Sequence, residues 1–104
     1  MILELVTFRL RAGVSEEQFI EAVRAVDTFL TDRAGFRARQ VLRTEADGGW
    51  VDLVWWADLA AARSAADAIG QDPAAASFMA CIDPASVQVS HSELTHARPE
   101  QPPW

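Results

Sequence analysis

Asp52 sits in the run Trp50-Val51-Asp52-Leu53-Val54-Trp55-Trp56, an acid between apolar neighbours in a stretch holding three of the chain's four tryptophans. Read as a strand, the period of two puts Trp50, Asp52, Val54 and Trp56 on one face and Val51, Leu53 and Trp55 on the other. A carboxylate among large aromatics is the composition of a pocket wall, where it could serve as a general base. The same acid could equally form an ion pair across strands and do no chemistry. Glu4 and His91 are the other candidates for a proton acceptor. Arg39 and Arg43 are cations placed to hold a developing anion or to neutralise Asp52. The wholly apolar face of Val51, Leu53 and Trp55 is expected to lie under helices.

The residue types that are missing narrow the chemistry further. The chain has no lysine, tyrosine or asparagine. That removes Schiff-base chemistry, a phenol donor and a neutral amide for holding an oxyanion. With one cysteine, and two histidines, His91 and His96, that stand five apart with no tight His/carboxylate spacing, a metal site is not expected. Cys81, among Met79, Ala80 and Ile82, reads as a buried and inert thiol.

With 104 residues, half of them hydrophobic and 23% charged, the chain suits one globular domain that buries roughly two-thirds of its unfolded surface. A net charge of −6 argues against nucleic acid and against a polybasic membrane anchor. No apolar run approaches the ~20 residues of a membrane span. The acid at Glu4 stands where a secretory signal would be basic, and a lone cysteine fits a reducing compartment. A cytoplasmic location is therefore the expectation.

The elements that must position these groups follow from local signals. Residues 1–11 are rich in strand formers, with Glu4 as the one acid. Ser15 and Gln18 form a capping box opening a helix to about Asp32, whose stripe of Phe19, Ile20, Val23, Val26, Phe29 and Leu30 is a packing face. Gly35 closes its exit. A second strand over 36–45 carries Arg37, Arg39, Val41 and Arg43 on one face. Ala46-Asp47-Gly48-Gly49 signals a hairpin. With Asp47 and Gly48 as its two turn residues, Arg43 falls opposite Asp52, Val41 opposite Val54 and Arg39 opposite Trp56. Asp58 caps an alanine-rich helix to about Gly70, and Pro73 opens a short helix ending near Cys81. A last strand over 86–93 alternates Val87, Val89 and His91 with Gln88, Ser90 and Ser92.

The order βαββαβ is that of a ferredoxin-like α+β domain: a four-stranded antiparallel sheet with its helices on one side. This domain is expected over 1–96, followed by a proline-rich tail over 97–104 that ends in Trp104. The sheet face away from the helices should then be bare, with Ile2, Val6, Phe8, Val54 and Trp56 on it. A second copy of the chain is its simplest cover, so a homodimer is expected.

The end of the first strand at Arg11-Ala12-Gly13, Gly35-Phe36, Asp47-Gly48-Gly49-Trp50, and Trp56-Ala57-Asp58 before an alanine-rich helix carry a resemblance spanning about residues 1–95. In these the chain resembles the antibiotic biosynthesis monooxygenase-like domains of the dimeric α+β barrel superfamily. The resemblance implies paired sheets, a small-molecule cavity in each chain, and in some members cofactor-free oxidation of aromatic rings. Haem-degrading members place Asn, Trp and His where this chain has Val6, an alanine around Ala65 and Ala66, and Phe78. Haem cleavage is therefore disfavoured, and no cofactor is expected. Three readings follow. The chain is a cofactor-free monooxygenase acting on a small aromatic or polyketide-like substrate, with Asp52, Glu4 or His91 as base. Its substrate would then lie against Arg39, Arg43, Trp50, Trp56, Val6, Phe8 and Phe78. Alternatively, it is a non-catalytic dimeric ligand-binding protein, or its charged residues form a structural network that fills the pocket.

Overall fold

The computed structural model describes residues 1–100. The elements run β1 (Ile2–Phe8), α1 (Glu16–Thr31), β2 (Phe36–Arg43), β3 (Trp50–Trp56), α2 (Leu59–Ile69), α3 (Pro73–Cys81) and β4 (Gln88–Glu93). A 3-10 turn, Pro84–Ser86, precedes β4. The strands form one antiparallel sheet in the order β2-β3-β1-β4, the ferredoxin-like arrangement. The last four residues of the expected tail, Trp104 among them, lie outside the described residues. Among those described, no helix is long and apolar enough to cross a membrane.

Local chemistry sets the boundaries where the sequence places them. Ser15 Oγ accepts the Gln18 N–H at 3.1 Å, and Asp58 Oδ1 accepts the Ala61 N–H at 2.8 Å. Asp72 caps α3, and Pro73 occupies its first turn, where a missing N–H costs nothing. Gly35 leads from α1 into β2 with φ +81°, and a Cβ there would stand 2.5 Å from that of Ala61 in α2. Both conformation and space demand glycine at this corner.

The two faces of the sheet are the reverse of the sequence expectation. Along β3 the residues alternate buried and half-buried, and Trp50, Asp52, Val54 and Trp56 are the buried set. Trp50 packs with Phe8, Phe19, Ala22 and Val23, while Val54 and Trp56 pack with Val26, Leu30, Ala62 and Ala65. The aromatic-and-acid face is thus the one under the helices. Register places Ile2, Glu4, Val6 and Phe8 of β1 beside it, together with Val89 and His91 of β4. Leu3, Leu5, Leu42, Val51, Leu53 and Trp55 share the other face, where Leu42 is 46% exposed. The residues expected on the bare face, Ile2, Val6, Phe8, Val54 and Trp56, therefore lie on the helix side. The physical reason is that Asp52 is neutralised in place, so a carboxylate does not keep that face wet.

The hairpin register also differs, by two residues. The β2–β3 loop contains four residues between Thr44 and Gly49, closed by the Thr44 N–H on Gly49 O at 2.9 Å and the Gly49 N–H on Thr44 Oγ1 at 3.0 Å. Only Gly48 in it has positive φ, so a two-residue type I′ turn cannot form. Val41 consequently faces Asp52, Arg39 faces Val54 and Arg43 faces Trp50. A two-residue slip preserves which side each chain points to, so Arg39 and Arg43 stay on the face of Asp52. The Asp47 carboxylate accepts from Thr44 Oγ1 and the Gly49 N–H, and lies near Arg9. These contacts hold it below the ordinary aspartate range. The loop's share of stability is present above that range and is lost as pH falls through the depressed value.

Candidate active site

Between the helix-side face of the sheet and the three helices lies a cavity of about 390 Å³. Its walls come from Val6, Val54 and Trp56 on the strands, Phe29 and Leu30 on α1, Ala65, Ala66 and Ile69 on α2, and Phe78 on α3. Val89 and Met79 also line it and are 55% and 48% exposed, marking its mouth. The size and the apolar lining are those of a small-molecule site. Alanine-rich α2 explains the space: Ala65 and Ala66 leave room that larger side chains would occupy.

Among the described residues, three charged ones reach this cavity: Glu4, Arg39 and Asp52. Arg39 and Asp52 are locked together. Nε donates to Asp52 Oδ1 at 3.0 Å and Nη2 to Oδ2 at 2.6 Å, a bidentate pair with side chains 4% and 9% exposed. Nη1 donates to Val23 O at 2.9 Å and to Asp27 Oδ1 at 3.0 Å. Four of the guanidinium's five N–H groups are therefore spent on protein acceptors. The Phe78 ring lies 5.5 Å from its centre and covers it. Burial works against the charge of Arg39, but Asp52 and Asp27 outweigh burial and raise its pKa.

Glu4 is built differently. Its Oε2 is 3.1 Å from His91 Nε2, and its Oε1 receives only a long 3.4 Å contact from Trp56 Nε1. The carboxylate is 19% exposed and the imidazole 36%. Pairing of β1 with β4 sets Glu4 directly opposite His91, and pairing with β3 sets it opposite Val54. The result is an acid–imidazole pair on the cavity wall with lone pairs still available. Such a pair can take a proton from a bound molecule and pass it outward.

The sequence candidates thus separate. Glu4, Asp52, Arg39, Trp56, Val6 and Phe78 line the cavity, and His91 touches it through Glu4. Arg43, Trp50 and Phe8 do not. Arg43 bonds Glu16 at 2.7 Å on the outer surface. Trp50 stacks on Phe19 with ring centres 4.8 Å apart, and Phe8 is buried in the same cluster. Sequence reasoning did not include Asp27, Met79 or Val89. Asp27 could have been found from its place one helical turn after Val23, which carries it toward the same guanidinium. Among the described residues, no group of three His, Cys, Asp or Glu is placed to hold a metal ion.

No protein-family profile matches the chain, and no curated protein matches it in sequence. Solved structures do match its fold. SnoaB, a cofactor-independent oxygenase from Streptomyces nogalater, superposes with a TM-score of 0.79 over 95% of this chain and 97% of its own, at 19% identity. A candidate antibiotic biosynthesis monooxygenase from Bordetella bronchiseptica gives 0.73 over 91% and 97%, also at 19% identity. One from Nitrosomonas europaea gives 0.69 over 92% and 100%, at 13%. The structure neighbours are antibiotic biosynthesis monooxygenase-like proteins, and what the chain shares with them at these identities is the fold.

Proposed function

We propose that the chain is a cofactor-independent monooxygenase acting on a small aromatic, polyketide-like substrate, with Glu4 as its general base. The observation that carries this reading is the Glu4–His91 pair standing on the wall of an apolar cavity. The fold shared with SnoaB supports it by analogy. Glu4 takes a proton from an acidified C–H or ring hydroxyl of the substrate. The resulting carbanion gives one electron to dioxygen, and the radical pair joins as a carbon–oxygen bond. The protonated hydroperoxide then loses its second C–H proton and expels hydroxide, leaving a carbonyl. One oxygen atom ends in product and the other in water, and all four electrons that reduce dioxygen come from the substrate carbon as it passes from CH2 to carbonyl. His91 holds Glu4 in place and carries its proton to solvent.

Direct contacts give Asp52 and Arg39 a different part. Their bidentate bond on the cavity wall supports reading them as an internal ion pair in place of base and anion holder. The reading is tested by incubating the metal-free protein with an anthrone under oxygen and following quinone formation and oxygen uptake together. Equimolar quinone and oxygen consumption is expected, with Val89→Trp, which plugs the mouth, reducing it at least about tenfold. Turnover that is unchanged in Val89→Trp would place the chemistry elsewhere.

The second copy belongs to the same proposal. Leu3, Leu5, Leu42, Val51, Leu53 and Trp55 make a sheet face that the helices of the chain leave uncovered. An apolar face of this kind fits an isologous contact with itself. Sedimentation at micromolar concentration should give a dimer, and Leu53→Asp should shift it to monomer. A stable wild-type monomer would remove this part.

A further inference from the structure

The cavity described above has a charge balance that says which ligands it can accept. Arg39 is the sole cation among the described residues that line it, and Asp52 and Asp27 both bond its guanidinium. No cation is left to receive a ligand anion beyond one remaining N–H of Arg39, and Phe78 stacks over that group. Glu4 adds a second lining carboxylate. Its partner His91 is not among the residues that line the cavity. The rest of the lining is apolar, so an anion entering would lose hydration and gain no partner.

The geometry points to an uncharged hydroxylated aromatic ring as the ligand class, with Glu4 excluding the carboxylated form of the same ring. This inference rests on the cavity reading of the preceding section and names its substrate class. The ring lies against Trp56, Phe29 and Phe78, and its hydroxyl donates to a Glu4 oxygen that the 3.4 Å contact with Trp56 leaves largely open. A carboxylate on the ring brings like charge against Glu4, a juxtaposition that selects against the wrong partner. Where such a ring is assembled bearing a free carboxyl group, a decarboxylation or an esterification must come first to supply the substrate.

Titration calorimetry at neutral pH with hydroxynaphthoate and its methyl ester tests this on the full chain. The two differ little in shape and by one charge. The ester is expected to bind at least about tenfold more tightly than the acid to the wild type. In Glu4→Gln the gap should narrow by at least about threefold, chiefly through tighter binding of the acid, while the cost of dehydrating the anion remains. A third ligand, naphthylmethylamine, should also bind the wild type better than the acid, which keeps the test independent of how the variant folds. Equal binding of acid and ester by the wild type, or an unchanged gap in Glu4→Gln, overturns the inference and leaves the cavity reading standing. If none of the three binds, or if all bind Val89→Trp as well as wild type, the cavity reading falls and this inference with it.

Discussion

Asp52→Ala is expected to unfold far more readily than the wild type, by about 3–5 kcal/mol in denaturant titration. The substitution leaves the Arg39 guanidinium, whose side chain is 4% exposed, without its bidentate partner. Asp27 remains bonded to Nη1, and being 53% exposed it can restore only part of the loss, so the lower end of that range is expected. Replacing both partners, as Arg39→Met with Asp52→Leu, removes the stranded charge and should recover most of the deficit. Arg39→Met alone should cost a similar amount, since it strands the carboxylate. The raised pKa of Arg39 fixes the sign of the pH dependence. While its carboxylate partners are ionised, its contribution is complete below the ordinary arginine range and is lost as pH rises through the raised value. Were Asp52 an unpaired functional carboxylate, its removal would leave stability unchanged or higher. That outcome would return Asp52 to the list of candidate bases.

Glu4→Gln should lower kcat for oxygenation by about 10²–10⁴-fold, the usual contribution of a positioned general base. KM for an uncharged substrate should move little, because the amide keeps the shape of the side chain and can still meet a ring hydroxyl. Stability should change by under about 1 kcal/mol, as the group is partly exposed and its contacts are a 3.1 Å bond to His91 and a long one to Trp56. His91→Phe should have a smaller effect on kcat, about tenfold, because it removes the support of the base and not the base itself. Single-turnover measurements separate these from slow product release. Undiminished turnover in Glu4→Gln would dismiss Glu4 as the proton acceptor.

The predictions for Asp52 and Glu4 depend on what tertiary structure does to two acids that look alike in the sequence. Both stand as single carboxylates in apolar strands. One receives a buried guanidinium from two residues along the neighbouring strand, and the other receives an imidazole from 87 residues away. Local sequence carries no record of that difference. It is decided by which strands become neighbours and at what register.

What the sequence determined by itself were the features that depend on near neighbours in the chain. Ser15 with Gln18, Asp58 and Asp72-Pro73 mark helix starts through hydrogen bonds spanning two or three residues. The alternation through Trp50–Trp56 marks a strand, because pleating alone separates odd from even positions. The order of these elements leads to the ferredoxin-like arrangement through the handedness of crossovers. The structure decided three things. It chose which side of β3 the helices cover, since pleating sorts residues into two sets without saying which set is inside. It set the hairpin register through a four-residue loop whose closing bonds from Thr44 and Asp47 are side-chain contacts that the Asp-Gly signal does not encode. It also spent the donors of Arg39 on Asp52, Asp27 and Val23, leaving Glu4 as the open acid on the cavity wall. A residue's type fixes which bonds it can make, but only the packed fold fixes which of them are already taken.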